Sequence, residues 1–241
     1  MFLVRLKQSI TTAFLGVALL FASQQSLADE FDAEFLRIAQ ELNNQRIPRP
    51  SIKSVDEIHN LIQKIHFSIF DVTKQICKEE KVRDSDCKWS IRVKRDAEFN
   101  AYATSSQQII ISSGLVDKTT FEDELAFVVA HEVAHHLLAH VKKKRGVIFS
   151  GLLLGELVFG DIPGGILLSS LINQMTSREF ESAADRIALR IITLSGYETH
   201  KAKYVLMRMA KMETRLTSRF MQSHPSGLER LVAFEKMVAE L

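Results

Sequence analysis

Five residues near the middle of the chain, His131-Glu132-Val133-Ala134-His135, have the types and spacing that suit hydrolytic metal chemistry. His131 and His135 stand at i and i+4. On a helix their imidazoles share one face, about a turn apart, and can address one metal ion. Glu132 sits one step round, where its carboxylate can reach a water on that ion. Zn²⁺ suits two neutral imidazoles and one further ligand, with a fourth position open to water whose pKa the metal lowers to about 7. A carboxylate beside that water can take its proton and later hand it to a leaving amine. Five residues also match by chance, so the surroundings must carry the reading.

The surroundings read as a buried helix. Thr119 or Thr120 is the expected cap, with Glu122 or Asp123 completing a capping box. Glu122, Asp123 and Glu124 lie in the first turn, where the helix dipole favours acids. Leu125, Phe127, Val128, Val129, Val133, Leu137 and Leu138 supply apolar faces, and Lys142 to Arg145 followed by Gly146 mark the expected end. His136 and His140, on another face, read as solvated or hydrogen-bonded surface residues.

A third ligand is expected from Arg178-Glu179-Phe180-Glu181-Ser182-Ala183-Ala184-Asp185. Glu181 and Asp185 share a helix face, and the small residues between them favour close packing. Glu181 is the natural ligand, with Glu179 a rival by type. Asp185 would accept the free ring N–H of a ligand histidine. The plain alternative is a surface helix whose acids pair with Arg178 and Arg186. Later, Pro225 restricts His224 to extended geometry, which could aim its imidazole at the oxyanion formed in carbonyl attack. Arg230 is an alternative cation for that task.

The elements that must position these residues are mostly helical. Apolar stripes predict helices over 29–44, from Ser54 through Ile76, over 199–211 and after Ser226. Ser54 with Glu57, and Ser226 with Glu229, read as capping boxes. Trp89 to Lys94, Phe99 to Thr104 and Gln107 to Ser112 read as extended runs forming a small antiparallel meander ahead of the metal helix. An edge strand there could hold an extended peptide by main-chain hydrogen bonds. The expected class is mainly α, of α+β type, with a small antiparallel sheet or hairpin beside the metal helix.

The chain has 241 residues, 46% hydrophobic and 25% charged, so a sizeable core is expected. A net charge of +2 gives no reason to expect nucleic acid as a partner. Arg5 and Lys7, the short apolar run Ala13 to Ala22, and Ser26-Leu27-Ala28 form the pattern of an export signal cleaved after Ala28. An uncleaved membrane tether is the alternative. The chain holds only two cysteines, Cys77 and Cys87, and in an exported chain they are expected to form a disulfide. Residues 147–175 are apolar but broken by Glu156, Asp161 and Pro163-Gly164-Gly165. They read as a pair of apolar helices or a lid, with a membrane-contacting surface as the competitor. The expected organisation is a signal peptide over 1–28, an N-terminal helical segment over 29–88 and the metal-binding domain over 89–241.

Taken together, Asn100-Ala101-Tyr102-Ala103, the His131 to His135 motif, Arg178 with Glu181, Ala184 and Asp185, and His224-Pro225 resemble a known family. It is the family of zinc peptidases that includes the CAAX prenyl protease, HtpX and the mitochondrial Oma-type enzymes, and the likeness covers about 96–241. The resemblance implies a single Zn²⁺ per chain held by His131, His135 and Glu181, with Glu132 as general base. It implies support from Asp185, transition-state stabilisation by His224, and a substrate-binding strand over Asn100 to Ala103. Long spans are lacking, and the chain is similar to exported bacterial members that act in the periplasm on misfolded or stalled envelope proteins. Protein or peptide substrates are therefore expected, with peripheral membrane contact through 147–175 and an oligomeric state left open. A non-cleaving periplasmic chaperone or adaptor, or a latent peptidase closed by 147–175 or by His224, are the other readings.

Overall fold

The computed structural model describes residues 33–50, 53–140, 143, 162–213, 224 and 227–241. The expected signal segment, residues 147–161 of the apolar stretch, the Gly146 cap and the Ser226 cap lie outside these residues. The chain divides into two compact units, residues 1–45 and 46–241. In the first, helix α1 (33–44) carries Arg37 between Glu34 and Glu41, each about one turn away.

The second unit opens with helix α2 (Val55–Glu79). Ser54 Oγ accepts the Glu57 N–H while the Glu57 carboxylate accepts the Ser54 N–H, the reciprocal cap expected. Ile62, Ile65, Ile69 and Ile76 are its buried stripe. At its C-terminal end Cys77 is bonded to Cys87, tying the helix to the loop that enters the sheet.

The sheet has strands β1 (Ser90–Lys94), β2 (Ala101–Ala103) and β3 (Gln108–Ser112) in the order β1-β3-β2. β2 and β3 form the expected antiparallel hairpin, with Tyr102 opposite Ile110. β1 departs from the expected meander, for it runs parallel to β3 with Ile91 opposite Ile109. The reason lies in the side chains. Ile109, Ile110 and Ile111 are all buried, and an unbroken apolar run belongs in the middle of a sheet. β1 alternates exposed and half-buried residues and suits an edge. Helix α3 (Ser113–Lys118) follows directly, capped by Ser112 Oγ on the Leu115 N–H. A Cβ on Gly114 would lie 2.2 Å from the Ala97 carbonyl oxygen, so this close approach requires glycine.

Helix α4 (Glu122–Leu137) is buried continuously from Glu124 to Leu137. Its cap differs from the expected threonine box. Phe121 occupies the capping position and offers no acceptor. Glu124 instead reaches back to the N–H groups of Thr120 and Phe121, at 2.8 and 3.1 Å. Arg208 closes on the same carboxylate at 2.7 Å. The far end differs too. The helix stops at Leu137, and Ala139 adopts a left-handed conformation with φ of 54°.

Three further helices lie among the described residues: α5 (Ile162–Leu194), α6 (Thr199–Glu213) and α7 (Gly227–Ala239). α4 packs against α2, α5, α6 and β2, and α7 packs against α5 and α6. Pro163-Gly164-Gly165, expected to interrupt the apolar stretch, lies in the first turn of α5, where proline fits without losing a helical hydrogen bond, and the half of the stretch before it lies outside the described residues. One 33-residue helix therefore runs on to Glu181 and Asp185. Gly196, at φ 81°, follows its end. Among the described residues, no helix is long and apolar enough to cross a membrane.

Candidate metal centre

α4 is the axis of the site. Its apolar surround, with Phe127 edge-to-face on Phe234 of α7, fixes the rotation that turns His131 and His135 towards α5. His131 Nε2 and His135 Nε2 lie 3.0 Å apart. From α5, Glu181 places Oε2 3.2 Å from His131 Nε2 and Oε1 3.4 Å from His135 Nε2. His224, ahead of α7, brings Nδ1 to 3.3 Å from His131 Nε2 and 2.9 Å from Glu181 Oε2. All four residues are buried, and their donor atoms lie within 4.8 Å of one another.

These separations suit a metal ion. Four donors placed tetrahedrally at about 2.0–2.1 Å from Zn²⁺ stand about 3.3 Å apart. Imidazole nitrogens and a carboxylate oxygen are also the donor types that Zn²⁺ takes. Glu132 points to the same place. Among the described residues neither of its buried oxygens has a hydrogen bond, and Oε1 lies 3.2 Å from His224 Nε2. A buried carboxylate left in that state is costly unless a ligand or water meets it.

Behind the donors stands a charged clamp. Asp185 Oδ1 is 2.8 Å from His131 Nδ1, which leaves Nε2 of that ring facing the cluster. Arg230, from α7, donates Nε and Nη2 to the two oxygens of Asp185 at 2.7 and 2.6 Å, and its Nη1 lies 3.1 Å from Glu181 Oε2. Burial alone would raise both carboxyl groups. His224, Arg230 and His131 beside it hold Glu181 well below the usual range, and Arg230 and His131 hold Asp185 low. Burial and Arg230 push His131 down, but Asp185 and Glu181 outweigh them and hold it up at about 9. Burial pushes His135 down.

The structure thus brings together His131, Glu132, His135, Glu181, Asp185 and His224. Glu179, the rival ligand, is exposed on the same helix. Asn100 precedes β2, and Ala101 to Ala103 form the sheet's outer strand, one side paired to β3 and packed near α4, with Tyr102 exposed. Cys77 and Cys87 lie together in the disulfide. Two placements differ from expectation. Arg230 is committed to the carboxylates of Asp185 and Glu181 instead of waiting for an oxyanion. His136 and His140 are buried, at 6% and 5% exposure, because the sheet and α5 cover the sides of α4. Burial, with His135 beside it, pushes His140 down to about 3.

A helix bearing two imidazoles and a carboxylate, joined by an acidic donor from a second helix, defines the architecture of a helical metallopeptidase. Residues 68–238 match the family profile of Peptidase family M48, and the chain belongs to that family. Relatives agree. The mitochondrial metalloendopeptidase OMA1 of Saccharomyces cerevisiae is 28% identical over 193 residues, covering 74% of this chain and 56% of that protein. The metalloprotease LoiP of Escherichia coli K12 is 28% identical over 144 residues, 55% of this chain and 56% of that protein. The human mitochondrial metalloendopeptidase OMA1 is 21% identical over 184 residues, 68% of this chain and 35% of that protein. The chain spans about half the length, or less, of these curated relatives.

Proposed function

We propose that the protein is a zinc-dependent endopeptidase that hydrolyses peptide bonds by attack of water, with no covalent intermediate. The observation that carries this is the convergence of His131 Nε2, His135 Nε2 and Glu181 beside the unsatisfied carboxylate of Glu132. His131, His135 and Glu181 would hold the ion. When bound, Zn²⁺ supplies Lewis acidity and makes water acidic enough to act near neutral pH. Glu132 takes the proton of the attacking water on one oxygen and delivers it to the leaving amine nitrogen. Asp185 and Arg230 keep His131 in the tautomer that presents Nε2. His224 is within reach of charge that develops on the carbonyl oxygen. The outer strand Ala101 to Ala103, with Asn100 ahead of it, would hold the substrate by main-chain pairing on its open side.

The expected export signal over 1–28 and the Cys77–Cys87 bond support work in an oxidising envelope compartment, the periplasm, on misfolded or stalled envelope proteins. Peripheral membrane contact through 147–175 belongs to the same reading.

The test is Glu132→Gln in the mature protein. It is expected to bind zinc like the wild type while cleavage of a casein substrate falls by about 10²–10⁴-fold or more. Full proteolysis by a zinc-loaded variant would sink the assignment. A second reading, a latent peptidase, is favoured by the place of His224, whose Nδ1 lies among the ligand atoms, 2.9 Å from Glu181. Higher cleavage by His224→Ala than by the wild type would establish latency, and lower cleavage would leave His224 to the transition state.

A further inference from the structure

His131 and His135 are unequal behind their rings. His131 has the Asp185 carboxylate on its Nδ1 at 2.8 Å. His135 has no carboxylate there among the described residues. The group facing its Nδ1 is another imidazole, His140, whose Nδ1 is 3.0 Å away. The left-handed turn at Ala139 makes this possible, because it ends α4 and folds the next residue back over the helix. His140 is 5% exposed, and its ring lies flat against Phe180, with centroids 4.2 Å apart and planes at 11°. Phe180 immediately precedes Glu181, so the ligand helix itself holds the His140 ring in place.

The proton count on this pair has one solution if His135 serves as a ligand. A neutral imidazole that offers the lone pair of Nε2 carries its proton on Nδ1. Two Nδ1 atoms at 3.0 Å share a single proton in a hydrogen bond. His140 must then present an unprotonated Nδ1 and keep its own proton on Nε2. We propose that His140 is the positioning residue for His135, accepting its Nδ1–H and so fixing the tautomer and ring angle with which Nε2 meets the ion. This rests on the metal-binding reading given above. It also assigns a division of labour. Asp185, a charged acceptor locked by Arg230, makes His131 the more basic donor. His140, a neutral acceptor, orients His135 without adding a further negative charge to a pocket that already holds Glu132, Glu181 and Asp185.

Two variants and one wild-type measurement test the proposal. His140→Phe keeps a flat ring on Phe180 but cannot accept a hydrogen bond. His140→Asn places an oxygen close to the position of Nδ1 and can accept. Zinc affinity, read by competition with a chromophoric chelator, is expected to fall about 10–100-fold in His140→Phe and to recover in His140→Asn. Circular dichroism of the metal-free variants reports whether they fold. Equal zinc affinity in His140→Phe and the wild type, or an asparagine variant no better than a folded phenylalanine variant, overturns the proposal. The wild type decides independently of any variant's folding. In the zinc-loaded, ¹⁵N-labelled protein, imidazole spectra are expected to show His135 protonated at Nδ1 and His140 protonated at Nε2. A His140 ring protonated at Nδ1 overturns the assignment. Wild-type protein with no affinity for zinc would instead overturn the metal-binding reading, and the role of His140 with it.

Discussion

Asp185 meets two demands with two oxygens. One accepts from His131 Nδ1, and both accept from a buried guanidinium. Replacing it with asparagine keeps the shape but removes the charge that Arg230 needs. Asp185→Asn is expected to lower zinc affinity about 10-fold or more, in a chelator competition. It is also expected to cost roughly 1–3 kcal/mol in urea unfolding, because a buried cation loses half its compensation. Glu181 remains 3.1 Å from Arg230 and keeps the loss below that of full unpairing. His131, Glu132 and His135 were legible in the sequence because one helical turn fixes their mutual placement. Glu181 and Asp185 were legible for the same reason, once a third ligand was sought. His140 was not, since its position depends on a left-handed alanine, a conformation that alanine rarely adopts and does not announce. Arg230 reads in the sequence only as an alternative cation for an oxyanion, because nothing local shows that α7 packs beside α5.

At the scale of elements, Gly114 holds α3 against the loop before β2. An added methyl would meet the carbonyl oxygens of Ala97 and Glu98 at 2.2 and 2.5 Å, and backbone cannot swing aside as a flexible side chain would. Gly114→Ala is expected to destabilise the fold by about 1–3 kcal/mol or more, read as a lower urea midpoint at unchanged slope. The lost stability comes through the sheet, since Ser112 ties β3 to Asn100 and Glu98 at this corner. α1, α2, α4, α6 and α7 were legible from their stripes, and α2 also from its cap, whereas the six-residue α3 is too short to show one. Strand order was less so. Alternation marks a strand but not its neighbour, and the choice of β3 as centre came from burial of a triple isoleucine on both faces. Pro163-Gly164-Gly165 marks the first turn of α5, but the unbroken run from there to Leu194 is not announced by any one stripe.

Across the whole molecule, Tyr197 joins elements distant in sequence. Its hydroxyl is 2.6 Å from Ser68 Oγ on α2 and donates to Glu122 at the start of α4, 3.2 Å away. Burial pushes the phenol up to about 12, and the Glu122 carboxylate adds to the rise against the opposing Ser68 bond. The unfolded phenol loses its proton near about pH 10. Between about pH 10 and 12 the unfolded state therefore binds fewer protons, and stability falls as pH rises. Below that window the contribution is fully present. The stability advantage of wild type over Tyr197→Phe is expected to hold from neutral pH to about pH 10 and then shrink towards pH 12. Denaturant titrations across that range check it, and a constant difference would count against the network.

The distances along the chain also set an order of events. His131 and His135 need only one helical turn of α4, a local contact. Glu181 reaches them only when α5 docks on α4. Arg230, 99 positions beyond His131, arrives only when α7 docks, and His224 is 93 positions away. A chain still folding therefore offers an ion little more than a pair of imidazoles. Firm capture waits for the final docking, so on the proposed reading a chain still folding has no assembled centre with which to cut another.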